Sequence, residues 1–241
     1  MSVNPCADAL LVRLVEPGRI AAISRYSQDA GATSIPLALA RRFRATAGTA
    51  EEVIALRPDL VLASTFTPPA TRDAYRRAGL TVVFLDAPTT VAASVAQVRE
   101  VAAAVGERGR GEALVAAIDR ALAWKGGPGR RRQSSALLYL TGDLANGSGT
   151  LLDELLRRAG FRNAAAEYGL TYTGRVPLER LLAHPPDMVI APDGRGRVEA
   201  LRRRLLPHVP QARFPRELVN CGGPAIVPAL ARLRAIRASL P

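Results

Sequence analysis

The stretch EEVIALRPDLVLAS, residues 51–64, decides the fold class. Thr49 stands just before it as a helix N-cap, and Glu51 and Glu52 fill the first turn, where negative charge favours the helix dipole. The helix spans 50–56 and Pro58 ends it. Asp59 to Ala63 (DLVLA) then reads as a strand covered on both faces, because its apolar residues run on without alternating. A second stretch, LERLLAHPPDMVIAPD at 178–193, repeats the form: Glu-led helix, Pro-Asp, apolar strand, polar loop. In both, the strand delivers a loop to the carboxyl edge of a sheet, where open α/β sheets hold ligands.

Working outward, short strands are expected at 20–23, 80–85 (LTVVFL), 136–140 (ALLYL) and 187–191 (DMVIA). Helices are expected at 71–78, 90–105, 107–125, 150–159, 178–183, 197–206 and 224–240. Strands alternating with helices at this spacing mean βαβ units and parallel sheets. The clearest composition break is GGPGRRRQSS at 126–135. The expected fold is α/β: two Rossmann-like lobes with parallel sheets, connected by one long backbone helix, with a ligand cleft between them. The divisions fall at 1–89 (N-terminal lobe), 90–126 (helices, including the long interlobe one) and 127–241 (C-terminal lobe).

The chain has 241 residues, 48% of them hydrophobic and 22% charged, an ordinary foldable composition. No apolar run reaches the roughly 18 uncharged residues of a membrane-spanning helix. The formal net charge is +12, and every cation except Lys125 is Arg. A balance this basic invites a nucleic-acid reading. However, the Arg residues are dispersed, and their clusters at 41–44, 130–132 and 202–204 carry no interleaved aromatics. The near-complete use of Arg over Lys looks like compositional bias, so no nucleic-acid partner is expected. No HExxH, GxSxG or P-loop pattern is present, and two histidines, His184 and His208, leave few options for general-base chemistry. Both follow helices beside prolines and read as surface residues, while Trp124 reads as a packing residue late in the linking helix. Cys6 and Cys221 lie near opposite ends of the chain. They are too few for a zinc site and are compatible with two buried thiols or one disulfide.

Five stretches taken in order carry a resemblance: SVNPCADALLVRLVEPGRIAAIS (2–24), ALRPDLVLAS (55–64), GLTVVFLDAP (79–88), GSGTLLDELLRRAGFRNAA (147–165) and VPLERLLAHPPDMVIAP (176–192). Together they resemble the substrate-binding proteins of ABC importers for iron chelates, haem and corrinoids, whose two lobes are joined by one rigid helix. NPCAD (4–8) and NCGGP (220–224) look like a subgroup of that family with paired cysteines. The resemblance implies a monomeric periplasmic receptor whose leader has been removed. It implies no catalysis and no cofactor, a bound ferric siderophore, haem or corrinoid as cargo, and an ABC importer permease as partner. It also makes a Cys6–Cys221 disulfide the first choice, over a thiol pair for a soft metal or two unrelated buried cysteines. The family presents a surface Glu from each lobe to the permease. Glu179 matches that pattern, but the corresponding first-lobe stretch FTPPATRDAY (66–75) has no Glu, and Asp73 is its nearest acid. The competing classes are a cofactor-assembly or enzymatic protein with a similar cleft and, further off, a basic nucleic-acid binder.

Loops leaving the strand ends are the expected ligand surface. In the first half these are Ser24, Arg25, Tyr26 and Asp29, and Ser64, Thr65, Phe66 and Thr67. In the second they are Thr141, Asp143, Asn146, Ser148, Tyr172, Arg175 and Asp193. Arg25 and Arg175 suit an anionic ligand, since the guanidinium fork binds carboxylates bidentately. Tyr26, Phe66 and Tyr172 suit stacking on a flat ligand, and a tyrosine phenolate is a known axial ligand of haem iron. Within GSGT (147–150), Thr150 is the expected N-cap of a helix whose N-terminus favours an anion.

Overall fold

The computed structural model describes residues 1–123, 133–192 and 197–240, with nothing said of the Glu199 side chain. Trp124, the Arg130–Arg132 cluster with most of the 126–135 turn, and Asp193 lie outside the described residues. The chain divides into two compact units. The first comprises 1–88, 92–117 and 220–225; the second comprises 89–91, 118–219 and 226–241.

In the first unit, α1 (Pro5–Leu14) opens on Asn4, whose side chain accepts the amides of Cys6 and Ala7. Strand β1 (Ile23–Ser24) pairs in parallel with β2 (Ala45–Thr46), and a single helical turn, α2 (Leu37–Ala40), lies between them. Helix α3 (Ala50–Ala55) starts on the Thr49 hydroxyl, which accepts from the Glu52 amide, as the cap pattern requires. Strand β3 (Val61–Ser64), helix α4 (Pro69–Arg77) and strand β4 (Val82–Leu85) form a βαβ unit with β3 and β4 parallel. The first residues stitch the two strand pairs together. The Ser2 amide donates to the Ala22 carbonyl, the Val3 amide donates to the Leu62 carbonyl, and the Leu62 amide returns to the Met1 carbonyl. Their core packs Met1, Ala22, Val53, Val61, Ala63 and Tyr75. Helices α5 (Val91–Ala104) and α6 (Arg108–Ala123) follow.

The second unit is built on a six-stranded sheet. Its strands are β5 (Ser134–Thr141), β6 (Leu144–Asn146), β7 (Phe161–Asn163), β8 (Thr173–Arg175), β9 (Met188–Ala191) and β10 (Gln211–Arg213). Helices α7 (Leu151–Arg158), α8 (Leu178–Ala183), α9 (Arg197–Leu205) and α10 (Ile226–Ala238) alternate with them. β5 pairs in parallel with β7 and β9, and β9 pairs in parallel with β10. The sheet continues on its other side through an antiparallel ladder, β5–β6–β8, that strand-helix alternation does not announce. Gly142, at φ 47°, makes the tight turn between β5 and β6. Leu137, Tyr139, Ala145, Tyr168, Leu181 and Val189 are among the core residues of this sheet.

Several bounds shift from the sequence reading. The strand expected at 20–23 is β1 at Ile23–Ser24, because Pro17–Arg19 forms a 3-10 turn that Ile20 closes. The strand expected at 136–140 runs from Ser134 to Thr141.

Candidate functional site

In the first unit the chain leaving β1 turns at once into a 3-10 segment, Arg25–Gln28. The buried Ser24 hydroxyl accepts the Tyr26 amide at 3.3 Å. At the other end, the Gln28 amide group donates to the carbonyls of Ala40 (3.1 Å) and Phe43 (2.9 Å). Asp8 on α1, wholly buried, accepts from the Ser24 amide (3.0 Å) and the Ser27 hydroxyl (2.7 Å). This fixed turn puts Arg25 in solvent and Tyr26 at 49% exposure, with the Arg25 guanidinium carbon 5.4 Å from the Tyr26 ring centre. Such a pair is a cation–π contact.

The loop after β3 is fixed in another way. The Ser64 hydroxyl accepts the Phe66 amide at 3.1 Å, and the Thr65 hydroxyl donates to Asp86 at 3.2 Å, on the chain leaving β4. Arg72 on α4 donates to the carbonyls of Thr65 and Thr67 while its guanidinium lies 4.6 Å from the Phe84 ring. Phe66 stands 78% exposed on this braced loop. A large apolar ring held in water by a rigid backbone costs hydrophobic free energy, which contact with an apolar ligand face would recover.

In the second unit Tyr172 is 65% exposed and takes a left-handed backbone, φ 61°. Outside glycine such a conformation costs on the order of 1–3 kcal/mol and persists where the surroundings impose it. Here they do. The Tyr172 amide donates to the Ser148 carbonyl (2.7 Å), the Gly147 amide donates to the Tyr172 carbonyl, and the Ser148 amide donates to Leu170 (3.2 Å). A buried polar network anchors the loop: Asn163 donates to the carbonyls of Asn146 and Gly147 and to Asp153, and Asp153 accepts the Gly149 amide. The Thr150 hydroxyl accepts the Asp153 amide as the N-cap of α7 and donates to the Asn146 side chain at 2.9 Å. Asn146 therefore departs from its expected ligand role. It is buried and spends its amide on Gly147 and Thr150, so it props the loop from beneath.

The β6–β8 ladder also separates residues expected to cluster. Asn146 pairs with Thr173 at one end and Leu144 with Arg175 at the other. Tyr172 therefore sits at the first end, and Arg175 meets Asp143 at the second, at 3.5 Å. Both partners are exposed, so the pair contributes little to stability and Arg175 stays available to solution anions.

The Cys6 and Cys221 sulfurs are bonded, and their Cα atoms stand 5.2 Å apart. Both belong to the first unit, in which 220–225 is a short returning segment. The Gly223 amide donates to the Ser94 hydroxyl at 2.7 Å, and a Cβ on Gly223 would meet the Leu10 side chain at 2.8 Å. Glu179 is exposed on the first turn of α8, whereas Asp73 is paired with Arg76 at 3.0 Å. His184 and His208 are exposed. Of the 202–204 cluster, Arg202 is buried against the Tyr139 ring, and Arg203 and Arg204 face solvent. Among the described residues no three His, Cys, Asp or Glu side chains are grouped to hold a metal ion, and no helix is long and apolar enough to cross a membrane.

The sequence reading missed Asp8 and Arg72. Asp8 signals itself only as an acid within the apolar run ADALLV, and its partners lie 16 and 19 residues on. Burial pushes its carboxyl up to about 7, against smaller opposing effects from the Ser27 hydroxyl, Ser2 and the Ser24 amide. Burial likewise raises the Tyr139 and Tyr168 phenols, the latter to about 12, which keeps both neutral core residues.

The two α/β units present ordered aromatic and cationic side chains on loops at their strand ends. A family model described as periplasmic binding protein matches residues 2–204. The chain belongs to this family of periplasmic, extracytoplasmic binding proteins, which are not enzymes. Among solved structures it is similar to "Periplasmic heme-binding protein BhuT in complex with two hemes (holo-2 form)", at 24% identity and TM-score 0.76, covering 97% of this chain and 95% of that one. A periplasmic haem-binding protein from Pseudomonas aeruginosa is 22% identical with TM-score 0.76, covering 100% and 92%. The periplasmic vitamin B12 binding protein BtuF of Vibrio cholerae is 14% identical with TM-score 0.69, covering 99% and 97%. At these identities the likeness establishes the two-lobed α/β fold. No curated protein matches the chain by sequence.

Proposed function

We propose that this protein captures a flat metal chelate, haem or a corrinoid ahead of a ferric siderophore, and delivers it to the permease of an ABC importer. The observation that carries the reading is the set of three exposed rings on braced strand-end loops: Tyr26, Phe66 and Tyr172. Their backbones are ordered before any ligand arrives, so little conformational entropy remains to be lost on binding. Arg25 and Arg175 supply cations for the ligand's carboxylates or phosphates, with Ser64 beside Phe66 and Asp143 beside Arg175. Relatives named for haem and vitamin B12 support a tetrapyrrole, since both ligands are broad and flat. Tyr26 or Tyr172 supplies the phenolate if iron takes an axial ligand. The chelate is cargo, not a resident cofactor. Glu179 is the docking carboxylate of the second unit, and the protein acts as a monomer in the periplasm.

Spectroscopic titration with haemin, cyanocobalamin and a panel of ferric siderophores tests this directly. A Soret shift or quenching that saturates at a defined stoichiometry is expected with one class. Silence with all three ends the reading.

A further inference from the structure

We propose that Asp8 is the positioning residue of the turn that carries Arg25 and Tyr26, and that ionisation of its carboxyl tightens that turn. The functional half of this proposal rests on the reading above that Arg25 and Tyr26 meet the ligand.

The geometry is specific. Asp8 lies on the first turn of α1, wholly buried, and one oxygen, Oδ2, takes both of its bonds from the same four-residue segment. The Ser24 amide enters that segment and the Ser27 hydroxyl leaves it, so Arg25 and Tyr26 are strung between the two donors. The other oxygen, Oδ1, is buried with no hydrogen-bond partner. A side chain that only filled the core would not aim an acid here, because burying half a carboxyl group without a partner is costly.

The charged groups around Asp8 are few. The Met1 amine acts on it through space, and Arg25 is the one cation of the turn it holds. Strand β1 brings no ionisable side chain, and neither does the segment 220–225. Bonds to a carboxylate are roughly twice as strong as bonds to a neutral acid. Ionisation therefore strengthens the hold on Ser24 and Ser27, and burial sets the transition near neutral pH.

The test uses the whole, disulfide-intact protein labelled with ¹⁵N. The Ser24 amide resonance should move with pH, its midpoint within about one unit of neutrality, and Tyr26 should follow it. In Asp8→Asn, checked for folding by circular dichroism, both resonances should be flat across the same range. Ser27→Ala removes a donor that favours the carboxylate, so the midpoint should rise, and this variant serves if Asp8→Asn does not fold. A Ser24 resonance insensitive to pH in the natural protein overturns the proposal, as does an unchanged midpoint in Ser27→Ala. A second arm measures affinity for haemin or cyanocobalamin, whichever binds. Affinity should rise several-fold as Asp8 ionises, and that dependence should vanish in Asp8→Asn; if it persists there, the positioning role falls. The amide arm needs no ligand, so failure of both ligands to bind refutes the proposed function alone.

Discussion

The guanidinium carbon of Arg202 lies 4.2 Å from the centre of the Tyr139 ring, and Arg202 Nη1 donates to the Gly142 carbonyl at 3.1 Å. One buried cation thus clamps α9 to β5 and to the turn that begins β6. A desolvated cation–π contact contributes about 2 kcal/mol, and the bond to the turn adds about 1 kcal/mol. Arg202→Ala should destabilise the protein by about 3 kcal/mol, read from urea unfolding. Arg202→Lys should recover only part of this, because an ammonium does not stack as a plane does.

Gly147 is required by the Tyr172 backbone. A Cβ there would stand 2.6 Å from the Tyr172 carbonyl oxygen and 2.9 Å from its carbonyl carbon, atoms of a backbone that is already constrained. Gly147→Ala should cost about 1–3 kcal/mol by thermal unfolding and weaken ligand binding through the displaced ring. Unaltered affinity in this variant would separate Tyr172 from the ligand.

The Cys6–Cys221 bond closes a loop with a sequence separation of 215. In the chain-entropy account a loop this long stabilises by about 5 kcal/mol. The double variant Cys6→Ser, Cys221→Ser should lower the melting temperature, and dithiothreitol should lower that of the natural protein but not of the variant. A thiol assay on the unreduced, denatured protein should find no titratable cysteine.

Asp8 sets a sign for pH dependence. Its folded value, about 7, exceeds the ordinary 3.8, so between these values the native state holds a proton that the unfolded chain has released. Its contribution to stability is therefore greatest below this window and falls as pH rises through it, by at most about 1.4 kcal/mol per unit. Melting temperatures across that window should decline less steeply in Asp8→Asn than in the natural protein.

The βαβ grammar was readable because its signals are local. Thr49 and Thr150 cap the helices they precede, and α8 runs from Leu178 to Ala183 as its pattern and flanking prolines indicate. Tyr26, Phe66 and Tyr172 stood out as rings among small polar residues, and all three are exposed. What escaped depends on distant partners or on short elements. The three-residue strands β6 and β8 are too short to show a period, and they part Tyr172 from Arg175. Asn146 looked like a loop residue beside glycine, but Asn163, 17 residues on, bonds its carbonyl and helps make it a buried prop.

The returning segment 220–225 bears on the order in which the chain is completed. Domains generally fold as units while the chain is made from its N-terminus. Here the first unit lacks the residues that pack on Leu10 and bond Cys6 until position 225 has been synthesised. The unit begun first is thus finished almost last, after nearly all of the other has been made. No single cut in the chain yields both units whole, and a nascent chain halted at Ala117 carries an unmatched thiol.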